Sequence, residues 1–153
     1  MVIERVEVGK TKMDCTIRNM IKSDIESLSH GFMNQGWPGR EEILARYFLE
    51  QESGEREVLV AEVEGALAGY ITILSCAKQG PFAEIYPELS DFNVFEPFQN
   101  QGIGSNLVSI MANLMQQLGV ARLTLEVMRD NTSAQAMYRK LGFETNEILP
   151  AYS

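Results

Sequence analysis

The sequence is poor in cysteine and histidine. Its cysteines are Cys15 and Cys76, and its single histidine is His30. Two cysteines cannot build a disulfide framework, and with one histidine they are too few for a Cys/His zinc site. We therefore expect no bound metal, and we expect His30 to be a surface residue rather than a catalytic one.

Long hydrophobic runs are also lacking. No apolar stretch approaches the roughly 20 residues that a membrane-spanning helix needs. Glu4, Arg5, Glu7 and Lys10 interrupt the N-terminus, where a signal peptide would be apolar. These features predict no membrane association and, by default, a cytoplasmic location.

Basic residues are the minority charge. Lysine and arginine total 13, against 21 aspartate and glutamate residues, which gives a formal net charge of −8. An acidic chain is repelled by phosphate backbones, so this balance opposes nucleic-acid binding and mildly favours cationic amines as partners.

The length of 153 residues predicts one domain with a sizeable core. We divide the chain into a polar lead-in, 1–13, which is either disordered or an edge strand, and a single domain, 14–153. Periodicity predicts the order strand, two helices, three strands, helix, strand, helix, strand. The predicted strands are 15–20, 58–63, 66–76, 89–95, 123–127 and 143–149, and the predicted helices are 22–35 with Ser23 as its cap, one beginning at Glu41, 103–118, and one carrying Tyr138.

The stretch 91–107 runs from a β-rich segment through a glycine turn into a helix. Gly102 and Gly104 lack Cβ, so the backbone can bend tightly and approach a ligand. The first N–H groups of the helix have no intrahelical partner, which makes such a turn a binding site for phosphate oxygens. A P-loop requires lysine directly after its second glycine, but Ser105 follows Gly104 here. A dinucleotide fingerprint has a small residue at the position of Leu107. The turn therefore matches neither of these two phosphate-binding motifs.

Two motifs resemble those of the GCN5-related N-acetyltransferase (GNAT) superfamily. The segment Gln99-Asn-Gln-Gly-Ile-Gly104 is similar to its acyl-CoA pyrophosphate loop, Q/R-x-x-G-x-G. The segment 131–143 is similar to its later N-x-x-A-x-x-x-Y-x-x-x-G-F motif. Taken singly, each has a structural alternative, a strand-to-helix turn or an ordinary capped helix. Together they stand in the superfamily's order and spacing, and the resemblance covers residues 14–149.

The resemblance implies a GNAT-type acyl-CoA N-acyltransferase fold of the α/β class. Its central sheet is mixed and mostly antiparallel, with about six or seven strands flanked by about four helices, and it is splayed between strands 4 and 5. Family members commonly continue into a seventh strand, whereas this sequence ends at Ser153. Three explanations remain for the missing seventh strand: the sheet has a short edge, a partner chain in a homodimer supplies the strand, or the natural chain is longer.

The resemblance also implies acetyl-CoA as cofactor, with coenzyme A as product. The main chain of the fourth strand would pair with the pantetheine arm, the glycine turn would bind the diphosphate, and the later motif would contact the arm. The residues implied in these roles are Phe92, Asn93, Val94, Phe95, Gln99, Asn100, Gln101, Gly102, Ile103, Gly104, Ser105, Asn131, Ala134 and Tyr138.

The implied reaction is direct attack of a primary amine on the thioester in a ternary complex. Tyr138 matches the family's general acid, which protonates the leaving thiolate, and the backbone N–H of Val94 matches its oxyanion donor. The general base would be a carboxylate near the fourth strand. Glu88 is the first candidate, followed by Asp91 and then Glu84, although each of these side chains is equally well explained as a solvated carboxylate.

The acceptor is a small-molecule amine or a protein amino group, and nothing in the sequence distinguishes them. In related enzymes the first two helices and their connection shape the acceptor cleft, which points to Phe32, Trp37, Tyr47 and Tyr86, although any of these aromatics could equally be core. A non-catalytic acyl-CoA sensor is the main alternative function. An incomplete site that needs a partner chain, and a nucleotide-binding domain of another kind, are further alternatives.

Overall fold

A computed structural model of the protein describes residues 3–8, 13–75, 87–120, 124–125, 132–140 and 142–143. In these residues the chain forms six strands, four α-helices and one 3₁₀ turn. In chain order they are β1 (Ile3–Val8), β2 (Met13–Asn19), α1 (Asp24–Asn34), α2 (Glu41–Ser53), β3 (Arg56–Val63), β4 (Ala66–Leu74), β5 (Glu88–Val94), the 3₁₀ turn (Glu96–Phe98), α3 (Ile103–Gln117), β6 (Thr124–Leu125) and α4 (Thr132–Lys140).

The strands form one sheet in the order β1-β2-β3-β4-β5-β6. Each pair from β1 to β5 is antiparallel, and β6 runs parallel to β5. The predicted mixed, mostly antiparallel sheet is thus confirmed. Part of the lead-in is the edge strand β1, while the domain boundary at residue 14 and the total number of strands stay predictions. The predicted last strand, 143–149, lies outside the described residues apart from Phe143.

Helices cover both faces of the sheet. The amphipathic helix α3 buries Ile103, Leu107 and Met111 against one face, together with Tyr138 of α4. On the other face, Phe32 of α1 and the apolar side of α2 pack against alternate residues of β3 and β4. The sheet therefore lies between two hydrophobic cores, and alternate residues of β3 and β4 face one or the other.

A β-bulge in β5 changes which side chains face each core. Thr72 pairs with Asp91 and Ile73 pairs with Leu89, so Ser90 is an extra residue in β5. As a result Leu89 and Phe92, three residues apart, both pack on the α3 side. Asp91 points to the opposite side, toward α2, where it contacts Tyr47.

The start of α1 differs from the prediction. Ser23 occupies the N-cap position, but its side chain makes no capping hydrogen bond. Asp24 makes the contacts instead, because its carboxylate accepts the Ile21 N–H at 2.8 Å and two hydrogen bonds from Arg18 at 2.8 and 3.1 Å. An anion with a cationic partner therefore stands in the first turn of α1.

Candidate active site

The N-terminus of α3 is open to an anion. Gly102 stands at the N-cap with φ +84°, and Asn100 before it also has positive φ, +63°. The bond from Asn106 N–H to Gly102 O, 3.0 Å, begins the helix, so the N–H groups of the residues between them have no intrahelical acceptor. The first turn of α3 has neither an acidic residue nor a side-chain cap, whereas α1 and α2 both begin with acidic residues.

A cleft of about 470 Å³ opens at this turn. It lies between the end of β5, the glycine turn, the start of α3, and Met137 and Tyr138 of α4. Gly104 forms part of the wall, since an added Cβ there would lie 3.1 Å from Phe92 Cζ. The predicted cofactor residues that line the cleft are Phe92, Asn93, Val94, Gln99, Asn100, Gly102, Ile103, Gly104, Ser105 and Tyr138.

Val94 directs its peptide groups away from β4. Phe95 N–H donates to Ala68 O on β4 at 2.8 Å. Adjacent residues of an extended strand point their peptide groups to opposite sides, so the N–H and C=O of Val94 point the other way. The side-chain amide of Gln99 donates to that C=O at 2.9 Å, which agrees with this direction.

The other predicted cofactor residues lie elsewhere or outside the description. Phe95 is buried against Phe32, with ring centroids 5.1 Å apart, and its N–H is used by β4. Gln101 Oε1 is buried and has no hydrogen-bond partner in the part of the chain described. Asn131 and the side chain of Ala134 are not among the described parts.

Tyr138 is 8% exposed and lines the cleft. Its ring lies 6.5 Å from that of Phe92 and 5.7 Å from that of Phe143, measured between centroids. Burial raises the pKa of Tyr138 to about 12. The phenol is therefore protonated throughout the neutral pH range, which is the state that a proton donor needs.

The candidate carboxylates differ in their surroundings. Glu88 is half-buried at the start of β5, where it pairs with Leu74 of β4 and Thr124 of β6. Glu84 is outside the described residues. Asp91 has three donor groups next to its Oδ2. They are the hydroxyl of Tyr47 at 2.9 Å, the hydroxyl of Tyr70 at 2.9 Å and Nη2 of Arg40 at 3.0 Å. This oxygen is therefore not a free proton acceptor.

The phenols on Asp91 remain protonated. Burial has the larger effect and the negative charge of Asp91 the next largest, and both raise the pKa of Tyr70, which lies far above its ordinary value. The same two causes raise the pKa of Tyr47. Neither Arg40 nor Tyr70 was among the predicted site residues. Arg40 reads in the sequence as part of a loop before a helix, and Tyr70 as one apolar residue in a strand.

The predicted acceptor residues fall into two groups. Phe32 is fully buried and Tyr47 nearly so, whereas Trp37 is 53% exposed. Trp37 stacks on Phe32, with centroids 6.0 Å apart and planes 22° apart. Trp37 is therefore the one of these three whose side chain is open to a ligand. Phe32 lies beneath it in the core, and Tyr47 donates a hydrogen bond to Asp91. Tyr86 lies outside the described residues.

No helix among the described residues is long and apolar enough to cross a membrane. Within the same residues, no group of three or more candidate ligand side chains comes together for a metal ion. The cytoplasmic location and the homodimer stay predictions.

Comparison with known proteins agrees with this geometry. The sequence profile of the Acetyltransferase (GNAT) family matches residues 23–143. An N-alpha-acetyltransferase of Sulfurisphaera tokodaii is 31% identical over 114 residues, covering 69% of this chain and 68% of that protein. The [ribosomal protein bS18]-alanine N-acetyltransferase of Escherichia coli K12 is 36% identical over 70 residues, 44% of this chain and 47% of that protein.

Solved structures show the same fold at low identity. The aminoglycoside acetyltransferase AAC(6')-Iy, in complex with a bisubstrate analogue, superposes with a TM-score of 0.73 at 21% identity, covering 91% of this chain and 97% of that one. PaiA N-acetyltransferase of Thermoplasma acidophilum, in complex with coenzyme A, superposes with a TM-score of 0.72 at 20% identity, covering 91% and 95%. Because the family profile spans most of the sequence, the chain belongs to the GNAT acetyltransferase family and is an acyltransferase, in a family whose usual acetyl donor is acetyl-CoA.

Proposed function

We propose that this protein transfers an acetyl group from acetyl-CoA to the α-amino group of a protein or peptide. The proposed transfer is supported mainly by the cleft, which is lined by the α3 N-terminus, by Val94 with its outward N–H and by the protonated Tyr138. Its volume of about 470 Å³ is within the usual range for small-molecule sites, roughly 300–1,000 Å³.

The residues around the cleft suit acetyl-CoA. The free N–H groups that begin α3 would bind the diphosphate, where no acidic side chain of the first turn repels it. Phe92 and Val94 would hold the pantetheine arm along β5. Acetyl-CoA, when bound, supplies an activated acetyl thioester.

Two groups of the chain would act on the reacting atoms. The N–H of Val94 would donate to the thioester oxygen as negative charge develops there. Tyr138 would give its proton to the departing sulfur, since its raised pKa keeps that proton available at neutral pH. We propose Glu88, half-buried at the start of β5, as the base, directly or through water. Asp91 is the second candidate, and its Oδ2 lies within 3.0 Å of three donor groups.

An α-amino acceptor suits a site whose proposed base is a single carboxylate. The group has a pKa of about 7.7–8.0, so about one molecule in six to one in eleven is neutral at pH 7, whereas a lysine-type amine of pKa about 10.4 is neutral about once in 2,500. The names of the relatives from Sulfurisphaera tokodaii and Escherichia coli also point to α-amino groups of proteins. An α-amine therefore needs less help from a base.

The test is a panel of acceptors scored by thiol release and by mass spectrometry. The panel contains peptides that begin with alanine, serine or methionine, the same peptides with a formylated N-terminus and one internal lysine, a polyamine and an aminoglycoside. We expect acetylation of the unblocked peptides at the α-nitrogen. Acetylation only of lysine, or only of the small amines, would refute the proposed acceptor. No thiol release with any amine would refute the transfer itself.

A further inference from the structure

We propose that Arg40 is a positioning residue that fastens the α1–α2 connection to β4 and β5, and that this fastening sets the affinity for the acceptor. The inference rests on the proposed function, because it concerns the acceptor side of the same site. It assigns no direct contact with substrate to Arg40.

Arg40 bridges two strands with its planar guanidinium. It directly precedes α2, in a non-helical conformation with φ −116° and ψ +36°. Its Nη1 donates to the hydroxyl of Tyr70 on β4 at 2.6 Å, and its Nη2 lies 3.0 Å from Asp91 Oδ2 on β5. The rigid fork of an arginine can reach both partners at once, whereas a lysine ammonium on a flexible stem would not span them in the same way.

The cluster closes around Asp91. The hydroxyls of Tyr70 and Tyr47 both donate to Asp91 Oδ2 at 2.9 Å, and Tyr47 comes from α2. Four parts of the fold, namely the connection, α2, β4 and β5, thus meet at one carboxylate. The side chains of Arg40 and Asp91 are 26% and 20% exposed, so water screens this pair only partly.

Arg40 is also tied to the exposed aromatic surface. Its guanidinium carbon lies 5.1 Å from the centroid of Phe32, the ring on which Trp37 stacks. Trp37 is the exposed member of this stack and lies in the same connection. Fixing Arg40 therefore fixes the segment that presents Trp37 to a ligand.

The charge balance argues against a direct binding role. The positive charge of Arg40 is matched by Asp91 at 3.0 Å, so the pair offers no net charge to an acceptor. Asp91 stands three residues before Val94 on β5. The cluster thus joins the α1–α2 connection, where we propose that the acceptor binds, to β5, whose Val94 lines the cleft.

The test compares Arg40→Met with Arg46→Met. Arg46 is a matched control, since it lies on α2, is 64% exposed and has one weak ion pair with Glu50 at 3.9 Å. With an acceptor peptide, we expect Arg40→Met to raise the acceptor KM about tenfold to a hundredfold, as displacements of about 1 Å do. The KM for acetyl-CoA should stay nearly unchanged, because no side chain of the cluster lines the cleft. Arg40→Lys, which keeps the charge without the fork, should recover only part of the loss.

Fluorescence of Trp37, the single tryptophan, gives a second readout that needs no acceptor. We expect acrylamide to quench Trp37 more strongly in Arg40→Met and in Tyr70→Phe, and equally in Arg46→Met and the unaltered protein. Unchanged quenching in both cluster variants overturns the inference, as does an unchanged acceptor KM or an equal rise in both KM values. Stronger quenching without acetylation of any peptide would support the fastening and refute the α-amino acceptor, so the two failures are distinguishable.

Discussion

Tyr138 combines an apolar environment with a position on the cleft beside the glycine turn. Its ring packs between those of Phe92 and Phe143, and it lines the cleft opposite β5. Burial raises its pKa to about 12, so the side chain keeps its proton under all ordinary assay conditions. Such a tyrosine can be a proton donor and a packing surface at once. The phenolic oxygen is needed only for the first role, and the ring is enough for the second.

Removing the hydroxyl of Tyr138 tests the acid role. Tyr138→Phe keeps the ring contacts, so we expect coenzyme A to bind with unchanged affinity while kcat falls by about a hundredfold or more, the usual size of a general-acid contribution. Steady-state kinetics and coenzyme A titration measure the two quantities.

The pH profile tests the raised pKa of Tyr138. With a pKa near 12, the proton of Tyr138 is retained up to about pH 11, so kcat should show no alkaline decline from this residue between pH 7 and pH 10. A decline centred near pH 10, the ordinary tyrosine value, would contradict the raised pKa. An unchanged kcat in Tyr138→Phe would assign proton donation to another group.

At the scale of elements, the N-terminus of α3 differs from those of α1 and α2. Its N-terminus combines a left-handed glycine at the cap with a first turn of small and apolar residues. The two helices on the opposite face use acidic residues at the same positions. Leaving the dipole of α3 uncompensated costs stability and retains affinity for an external anion.

Adding a carboxylate to α3 should have opposite effects on stability and binding. Ser105→Asp, at an exposed position in the first turn, should stabilise the helix by about 0.3–1 kcal/mol. The new charge should repel the diphosphate and weaken coenzyme A binding at least about fivefold, the effect of about 1 kcal/mol between nearby charges. Thermal unfolding and calorimetric titration would measure these effects.

Asn113→Asp is the matched control, because Asn113 is exposed on the same helix but two turns further along. It should leave the affinity for coenzyme A unchanged. If both substitutions weaken binding alike, the effect is one of net charge and not of the α3 N-terminus. If neither does, the diphosphate binds elsewhere.

At the scale of the whole molecule, the cleft lies where α3, α4 and β5 converge, so a ligand bound there joins separate parts of the fold. Such a ligand binds the folded state and not the unfolded chain. Its binding free energy is therefore added to the stability of the whole domain.

Ligand-dependent unfolding would show which compounds the cleft accepts. A ligand at 100 times its dissociation constant adds about 2.7 kcal/mol, which should raise the unfolding midpoint by roughly 5 to 10 °C for a domain of this size. We expect this rise with acetyl-CoA and coenzyme A, and none with ATP or NAD at the same concentration. An equal rise with ATP or NAD would indicate a general phosphate site.

The glycine turn and α3 could be read directly from the sequence. Gly102 has the positive φ that the glycine suggested, and the helix begins at the next residue with the expected apolar face buried. The prediction succeeded because the information is local, since a left-handed cap and a 3.6-residue period are properties of neighbouring residues. The family motifs are local in the same sense.

The surroundings of Asp91 depended on tertiary structure. Its phenolic partners Tyr47 and Tyr70 lie 44 and 21 residues away in the chain, and one extra residue in β5, Ser90, decides which face Asp91 points to. A one-residue shift in a strand exchanges its two faces, and no local pattern records it. The sequence by itself therefore determined the family and the glycine turn. Folding decided that Asp91 lies against Arg40 and accepts hydrogen bonds from two phenols, because those contacts exist only once distant segments pack together.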